Sequence, residues 1–269
     1  MIELEQVSKH YGAAAVVDGV SLNIARGGVT AIIGPNGAGK STLLSLISRL
    51  TPLSAGRVRI DGLDVARTPS EVLARKLAIL RQDNPMTLRL TVRDLVAFGR
   101  FPHSKGRLRP EDARHIEQAL EHLQLTDLAG RYLDELSGGQ RQRAFVAMVM
   151  CQDTDYVLLD EPLNNLDMHH GVAMMGLLRS LADEHGKTVL IVLHDINFAS
   201  TYADHIIAMK QGRLACQGSP AELICPQVLQ PLYQMPIEVH ELAGQRICVY
   251  YRARAAQPAA GQQAAGQAL

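Results

Sequence analysis

Residues 34–42 read Gly34-Pro35-Asn36-Gly37-Ala38-Gly39-Lys40-Ser41-Thr42 and fit the pattern G-x-x-x-x-G-K-[ST]. No other feature restricts the fold as tightly, because such a loop works only between a strand that leads in and a helix that leads out. Both are legible in the neighbours: an apolar strand Val29–Ile33 before it and a helical stretch over 41–50 after it. Gly34, Gly37 and Gly39 let the backbone curl until successive N–H groups point inward. The helix start adds the positive end of its dipole to that nest. Lys40 can reach the β- and γ-phosphates of a nucleotide, and the Ser41 hydroxyl can ligate Mg²⁺.

A strand–loop–helix unit needs company, and the sequence supplies it. Further strand candidates are Ile2–Val7, Val58–Ile60, Tyr156–Asp160, Thr188–Leu193 and His205–Met209. Helical patterns fall at about 111–123, 140–151, 169–184 and 196–203. This alternation predicts an α/β fold with a largely parallel sheet. The unbroken apolar runs Val157–Leu159 and Val189–Leu193 suit strands covered on both faces. Residues 82–150 break the rhythm and read as several helices, with Thr91 before one and Pro110, Glu111 and Asp112 opening another. They predict a helical subdomain inserted into the core. The pieces at 2–7, 20–24 and 56–60 predict a small antiparallel sheet. One domain is therefore expected over 1–250, with core segments 1–81 and 151–250 around the helical 82–150. The stretch 251–269 is mostly Ala, Gln, Gly and Pro and predicts a disordered tail.

Composition narrows the partners. Lys+Arg and Asp+Glu both total 27, so no nucleic-acid partner is expected. No apolar run approaches the roughly 20 residues of a spanning helix, and no secretion signal is read at the start. Cys151, Cys216, Cys225 and Cys248 lack C-x-x-C spacing and predict buried thiols in a reducing compartment.

Tyr156-Val157-Leu158-Leu159-Asp160-Glu161 is an apolar strand ending in two carboxylates. Asp160 suits the shell of a Mg²⁺ ion. Glu161, one residue on, points differently and suits a general base for the attacking water. Two acids after a strand are common at turns, and it is the phosphate loop that gives these a partner.

Leu136-Ser137-Gly138-Gly139-Gln140, followed by Arg141-Gln142-Arg143, resembles the signature sequence of ATP-binding-cassette transporters. The resemblance implies a P-loop nucleotide hydrolase core of that type and a head-to-tail pair of copies. Each ATP would sit between the phosphate loop of one copy and Ser137, Gly138, Gly139 and Gln140 of the other. Glycine N–H groups and a helix start aimed at the γ-phosphate agree with that picture. The resemblance further implies that Tyr11 stacks on adenine, that Gln82 senses Mg²⁺ and the attacking water, and that His194 contacts the γ-phosphate. It places Asn164-Asn165-Leu166-Asp167 in the loop crossing between copies, with Asp167 at the nucleotide. One departure is Leu163, where many members carry Thr or Ser after the Glu-Pro pair.

Finer wording resembles one importer group. Leu95-Val96-Ala97-Phe98-Gly99-Arg100-Phe101-Pro102 is similar to importers of iron chelates, haem and cobalamin. Gln152–Tyr156, Leu163–Met168 and His194–Ser200 look most like the ferric-siderophore branch. That implies two separate transmembrane permease subunits, an extracytoplasmic substrate-binding protein, and a peripheral place on the cytoplasmic face of a bacterial cell membrane. Haem and cobalamin stay open as cargo, and a soluble non-transport cassette ATPase stays open as a class. His169 and His170 project about 100° apart on a helix and, with Asp167, do not complete a metal site. Arg75 to Arg109 holds nine basic residues and two acids, which suits permease loops or anionic headgroups as well as a solvated face.

Overall fold

The computed structural model describes residues 1–82 and 88–251. The expected tail lies outside the described residues, Tyr251 excepted. The chain opens with β1 (Ile2–Tyr11) and β2 (Ala14–Ile24), then β3 (Gly28–Ile33), which runs into the phosphate loop and α1 (Lys40–Ile47). β4 (Ala55–Ile60), β5 (Leu63–Asp64), α2 (Ser70–Lys76) and β6 (Leu77–Leu80) follow. Next come α3 (Val92–Phe98), α4 (Phe101–Ser104), α5 (Pro110–His122) and α6 (Gly138–Cys151). The chain then returns to β7 (Tyr156–Asp160), α7 (Met168–Asp183), β8 (Thr188–Val192), α8 (Ile196–Tyr202) and β9 (His205–Lys210). It continues with β10 (Arg213–Gly218), α9 (Pro220–Leu223), α10 (Pro226–Tyr233) and a hairpin of β11 (Glu238–Leu242) and β12 (Gln245–Val249).

Two sheets carry the fold. The larger runs β10-β9-β3-β8-β7-β6, parallel throughout except at its edge strand β10. The smaller runs β2-β1-β4-β5 and is antiparallel, as the sequence predicts. Side-chain alternation shows why the parallel strands read as unbroken apolar runs. Val157 and Leu159 of β7, like Val189 and Ile191 of β8, join a core shared with the helices α3, α5, α6 and α7. Their neighbours Tyr156, Leu158, Leu190 and Val192 face the opposite way, into a core shared with α1 and the antiparallel sheet.

The helices begin where their caps say they should. Thr91 caps α3, with its hydroxyl accepting the Asp94 N–H and Asp94 accepting the Thr91 N–H. Pro110 takes the first position of α5, and Asp112 accepts the Arg109 N–H at 2.9 Å. Two differences from the sequence reading concern strands. β6 was not among the strand candidates: it has four residues and follows α2 with no turn between them, so no punctuation marks it. The elements after β9 are not read from the sequence either: they are short, and α10 holds Pro231 within its span, which disguises its helical pattern.

The basic excess over 75–109 is largely compensated inside the chain. Lys76 pairs with Asp61 and Asp155, Arg89 with Asp134 and Glu135, Arg93 with Glu117, and Lys105 with Glu71. Arg100 is different because its partner is buried. Its Nε donates to Asp112 Oδ1 at 2.8 Å and its guanidinium also donates to the Cys151 carbonyl at 3.0 Å. One side chain thus joins the starts of α4 and α5 to the end of α6. The Arg100 guanidinium and the Arg109 N–H hold the Asp112 carboxyl below the usual carboxylate range.

Removing one member of a buried pair leaves the other uncompensated. Arg100→Met is expected to cost about 3 kcal/mol in denaturant unfolding at neutral pH. The stabilisation from a lowered Asp pKa is full above the unfolded value of about 4 and is lost as the pH falls through the folded value. The gap between variant and parent therefore narrows below about pH 4, which unfolding curves at two pH values check.

Candidate nucleotide site

The larger sheet delivers its loops to one edge. β3 ends at Ile33 and the chain turns at Gly34, whose φ is 141°; a Cβ there would lie 2.1 Å from the Met209 carbonyl. Gly39 caps α1 in the left-handed region at φ 94°, and a Cβ there would lie 2.6 Å from the Val16 carbonyl. Both positions exclude a side chain on conformational and steric grounds together. Between them the chain curls tightly enough for the Lys40 ammonium to donate to the Gly34 carbonyl at 2.8 Å and the Pro35 carbonyl at 3.0 Å. Lys40 is only 5% exposed, and burial lowers its pKa, opposed by the charges of Glu161 and Asp160.

The acids sit where β7 ends. The Ser41 hydroxyl donates to Asp160 Oδ1 at 2.8 Å, which ties the start of α1 to β7. Burial raises the Asp160 pKa, with the Ser41 hydrogen bond acting the other way. Glu161 follows with φ 51°, so it is this left-handed turn, and not the strand alternation read from the sequence, that sets the direction of its side chain. Its carboxylate is held from three sides. Gln82 Nε2 donates to Oε2 at 2.7 Å, Asn164 Nδ2 donates to the same oxygen at 2.8 Å, and His194 Nε2 pairs with Oε1. The Glu161 side chain is 7% exposed while that of His194 is 44% exposed, so the histidine forms the solvent-side wall.

Two adjoining clefts gather most of the expected residues. One runs along Asn36, Gly37, Ala38, Gly39, Lys40, Ser41 and Thr42 and is walled by Val16, Gln82, Glu161 and His194. The other shares Ser41, Thr42 and Gln82 and reaches Asp160, Arg81 and Tyr11. Tyr11 ends β1 with 55% of its surface exposed, and the Lys9 ammonium lies 5.0 Å from its ring centre. The donor set fits the ligands the sequence implies. Curled backbone and Lys40 suit phosphate oxygens; the Ser41 hydroxyl and the Asp160 carboxylate are hard oxygen donors that suit Mg²⁺.

Ser137, Gly138, Gly139 and Gln140 lie elsewhere. They open α6, where the Ser137 hydroxyl accepts the Gln140 N–H at 3.3 Å and Gln140 Oε1 accepts the Ser137 N–H at 3.0 Å. Positions built as Cβ atoms on Gly138 and Gly139 would come within 3.5 Å of Asn165 and Leu166, so this start packs on the loop after Glu161. Gln142 strengthens that link, donating to the Pro162 carbonyl at 3.1 Å. None of these residues lines either cleft. Asp167 caps α7 by accepting the His170 N–H at 2.9 Å, which holds its carboxyl low, and it too stands outside both clefts.

The ABC transporter family matches residues 17–164, and the match spans the phosphate loop, the Ser137 segment and Glu161. A petrobactin import ATP-binding protein of Bacillus subtilis is 53% identical over 93% of this chain and 100% of its own length. The chain belongs to the ABC transporter family. An iron(3+)-hydroxamate import ATP-binding protein of Bacillus subtilis is 39% identical over 88% of this chain and 89% of its own. Among solved structures, a dimeric post-hydrolysis ATP-binding cassette bound to ADP and Pi superposes with a TM-score of 0.75 at 31% identity, covering 82% of this chain and 99% of that one. The protein is thus an ABC ATPase subunit, with the mixed sheet and helical subdomain of that family.

One residue of the cluster escaped the sequence reading. The sequence marks Asn164 only as part of the loop between copies; its carboxamide also holds Glu161 three residues earlier. The spacing across a turn was the available signal. The geometry of Gly39 yields a test of the cradle: Gly39→Ala forces a side chain into a left-handed cap against Val16. A strain of 1–3 kcal/mol corresponds to roughly tenfold weaker ATP binding, read by titration with a fluorescent ATP analogue.

Proposed function

We propose that this ABC subunit binds MgATP on Tyr11 and the 34–42 loop, pairs with a second copy of itself, and drives ferric-siderophore import through a separate permease. The observation that carries the catalytic part is the three-sided hold on Glu161 beside the phosphate loop. A carboxylate fixed there by Gln82, Asn164 and His194 is placed to orient and deprotonate a water at the γ-phosphate. Lys40 supplies positive charge where the transferring group gains negative charge. Ser41 and Asp160, with Gln82 beside them, would hold Mg²⁺, whose charge would favour the triphosphate when bound.

The placement of the Ser137 segment supports pairing. Its helix start lies outside the clefts of its own chain, so it becomes useful to a nucleotide only across an interface. The dimeric cassette with ADP and Pi is a precedent in a relative of the same fold. Asp167 caps α7 directly after Asn165 and Leu166, which pack against Gly138 and Gly139, and we assign it to that interface.

The cargo assignment rests on relatives. Proteins named for import of petrobactin and iron(3+)-hydroxamate are 53% and 39% identical along nearly the whole chain. Among the described residues no helix is long and apolar enough to cross a membrane. On the strength of the import relatives, we assign the crossing to separate permease subunits and this chain to a peripheral position on the cytoplasmic face. Leu88, Phe98, Phe101 and Leu108 are large, apolar and exposed in or beside the helical subdomain, and we assign them to the permease contact.

Glu161→Gln is expected to keep ATP affinity, lower turnover at least a hundredfold, and accumulate as an ATP-loaded dimer in light scattering. Wild-type hydrolysis in that variant would remove Glu161 from its role. Lys40→Ala is expected to lose both binding and turnover. For the cargo, cells lacking this subunit should lose uptake of radiolabelled iron presented as ferric petrobactin and regain it on complementation. Retained uptake of that chelate, with loss of haem or cobalamin uptake instead, would reassign the substrate.

A further inference from the structure

The segment after β9 touches the site at two points that the phosphate-loop and Glu161 arguments do not use. α10 ends at Tyr233, whose hydroxyl oxygen accepts the Gly34 N–H at 3.2 Å. Gly34 is where β3 turns into the phosphate loop. Its backbone geometry is open only to glycine, so the residue brings no side chain that could hold it in place. Tyr233 itself packs against the larger core, and burial raises its phenol pKa well above the ordinary value, so the oxygen stays a neutral acceptor.

The second point lies behind His194. Asn197, at the start of α8, reads the backbone of β12 as a strand neighbour would. The Cys248 N–H donates to Asn197 Oδ1 at 2.7 Å, and Asn197 Nδ2 donates to the Cys248 carbonyl at 3.3 Å. Ser200 adds a hydroxyl donated to the Arg246 carbonyl at 2.7 Å. The hairpin is tied back in turn. Arg246 donates to the carbonyls of Ala221 and Ile224, and Gln230 donates to the Ile237 carbonyl at 3.0 Å. The helix that follows His194 and the strand end that opens the phosphate loop are therefore fastened to one connected unit.

We propose that residues 220–249 act as a clamp on the ATP site, with Tyr233 the positioning residue for the phosphate loop and Asn197 the positioning residue for the His194 segment. This rests on the reading of 34–42 as the triphosphate cradle. Neither residue lines the two clefts of the site. Tyr233 sets where the loop starts, so its loss acts on ATP affinity. Asn197 sets where His194 stands, so its loss acts on turnover.

The test uses the full-length chain. Tyr233→Phe keeps the ring and removes only the acceptor. KM for ATP is expected to rise about fivefold, the scale of one neutral hydrogen bond, with kcat held within about twofold. Its melting temperature should stay within about 2 °C of the parent, and hydrogen exchange should quicken in the peptide that covers Gly34. An unchanged KM, or a raised KM matched by a collapse in melting temperature, would overturn the role of Tyr233. Asn197→Ala should lower kcat about fivefold with KM nearly constant; an unchanged kcat would overturn the second attachment. Lys40→Ala run in parallel separates the levels. If it loses ATP binding while Tyr233→Phe and Asn197→Ala behave as the parent, the clamp alone fails. If it still binds ATP, the cradle reading falls and the clamp falls with it.

Discussion

Five parallel strands buried on both faces govern everything else in this chain. Side chains alternating into two separate cores leave the sheet no free surface, so polar groups can meet solvent and ligand only at strand ends. The chain places Gly34 just after β3, Gln82 just beyond β6, Asp160 and Glu161 at β7, and His194 just beyond β8. Those four strands are β3, β8, β7 and β6 in spatial order, side by side in one sheet. The site is in this sense a by-product of strand order. Residues separated by well over a hundred positions come together because their strands are neighbours.

Much of this was legible. The phosphate loop, the double acid after β7 and the antiparallel pieces near the start were marked by residue type and period. The helix starts at Thr91 and Pro110 were equally explicit, because capping is a local interaction and leaves a local signature, whereas α6 begins at Gly138, two residues before the start read from the sequence. What the sequence concealed was non-local. β6 is too short to show a period, yet it carries Gln82 to Glu161. Asn164 was read as part of an interface loop, when its amide also closes on a carboxylate three positions back. Tyr233 had no sequence mark at all, since an isolated tyrosine near a proline gives no hint that its hydroxyl meets Gly34, 199 positions earlier.

The charge pattern teaches a related lesson. A run of basic residues invites a partner from outside, but Lys76, Arg89, Arg93, Arg100 and Lys105 each find an acid within the chain. Most of these pairs are exposed and contribute little to stability. Arg100 with Asp112 is the exception, because both are covered and each would be costly alone. The surface of that region therefore mixes charged side chains, many already paired, with the exposed apolar Leu88, Phe98, Phe101 and Leu108.

The cap of α6 has one more implication. The Ser137 oxygen is already engaged by the Gln140 N–H, and the Ser137 N–H is engaged by Gln140 Oε1. The hydroxyl keeps its proton to donate beside one remaining lone pair, and the neighbouring glycines add backbone N–H donors and no side-chain acceptors. Donors therefore outnumber acceptors at the tip of this helix, a bias toward electron-rich oxygen written into the fold before any companion arrives.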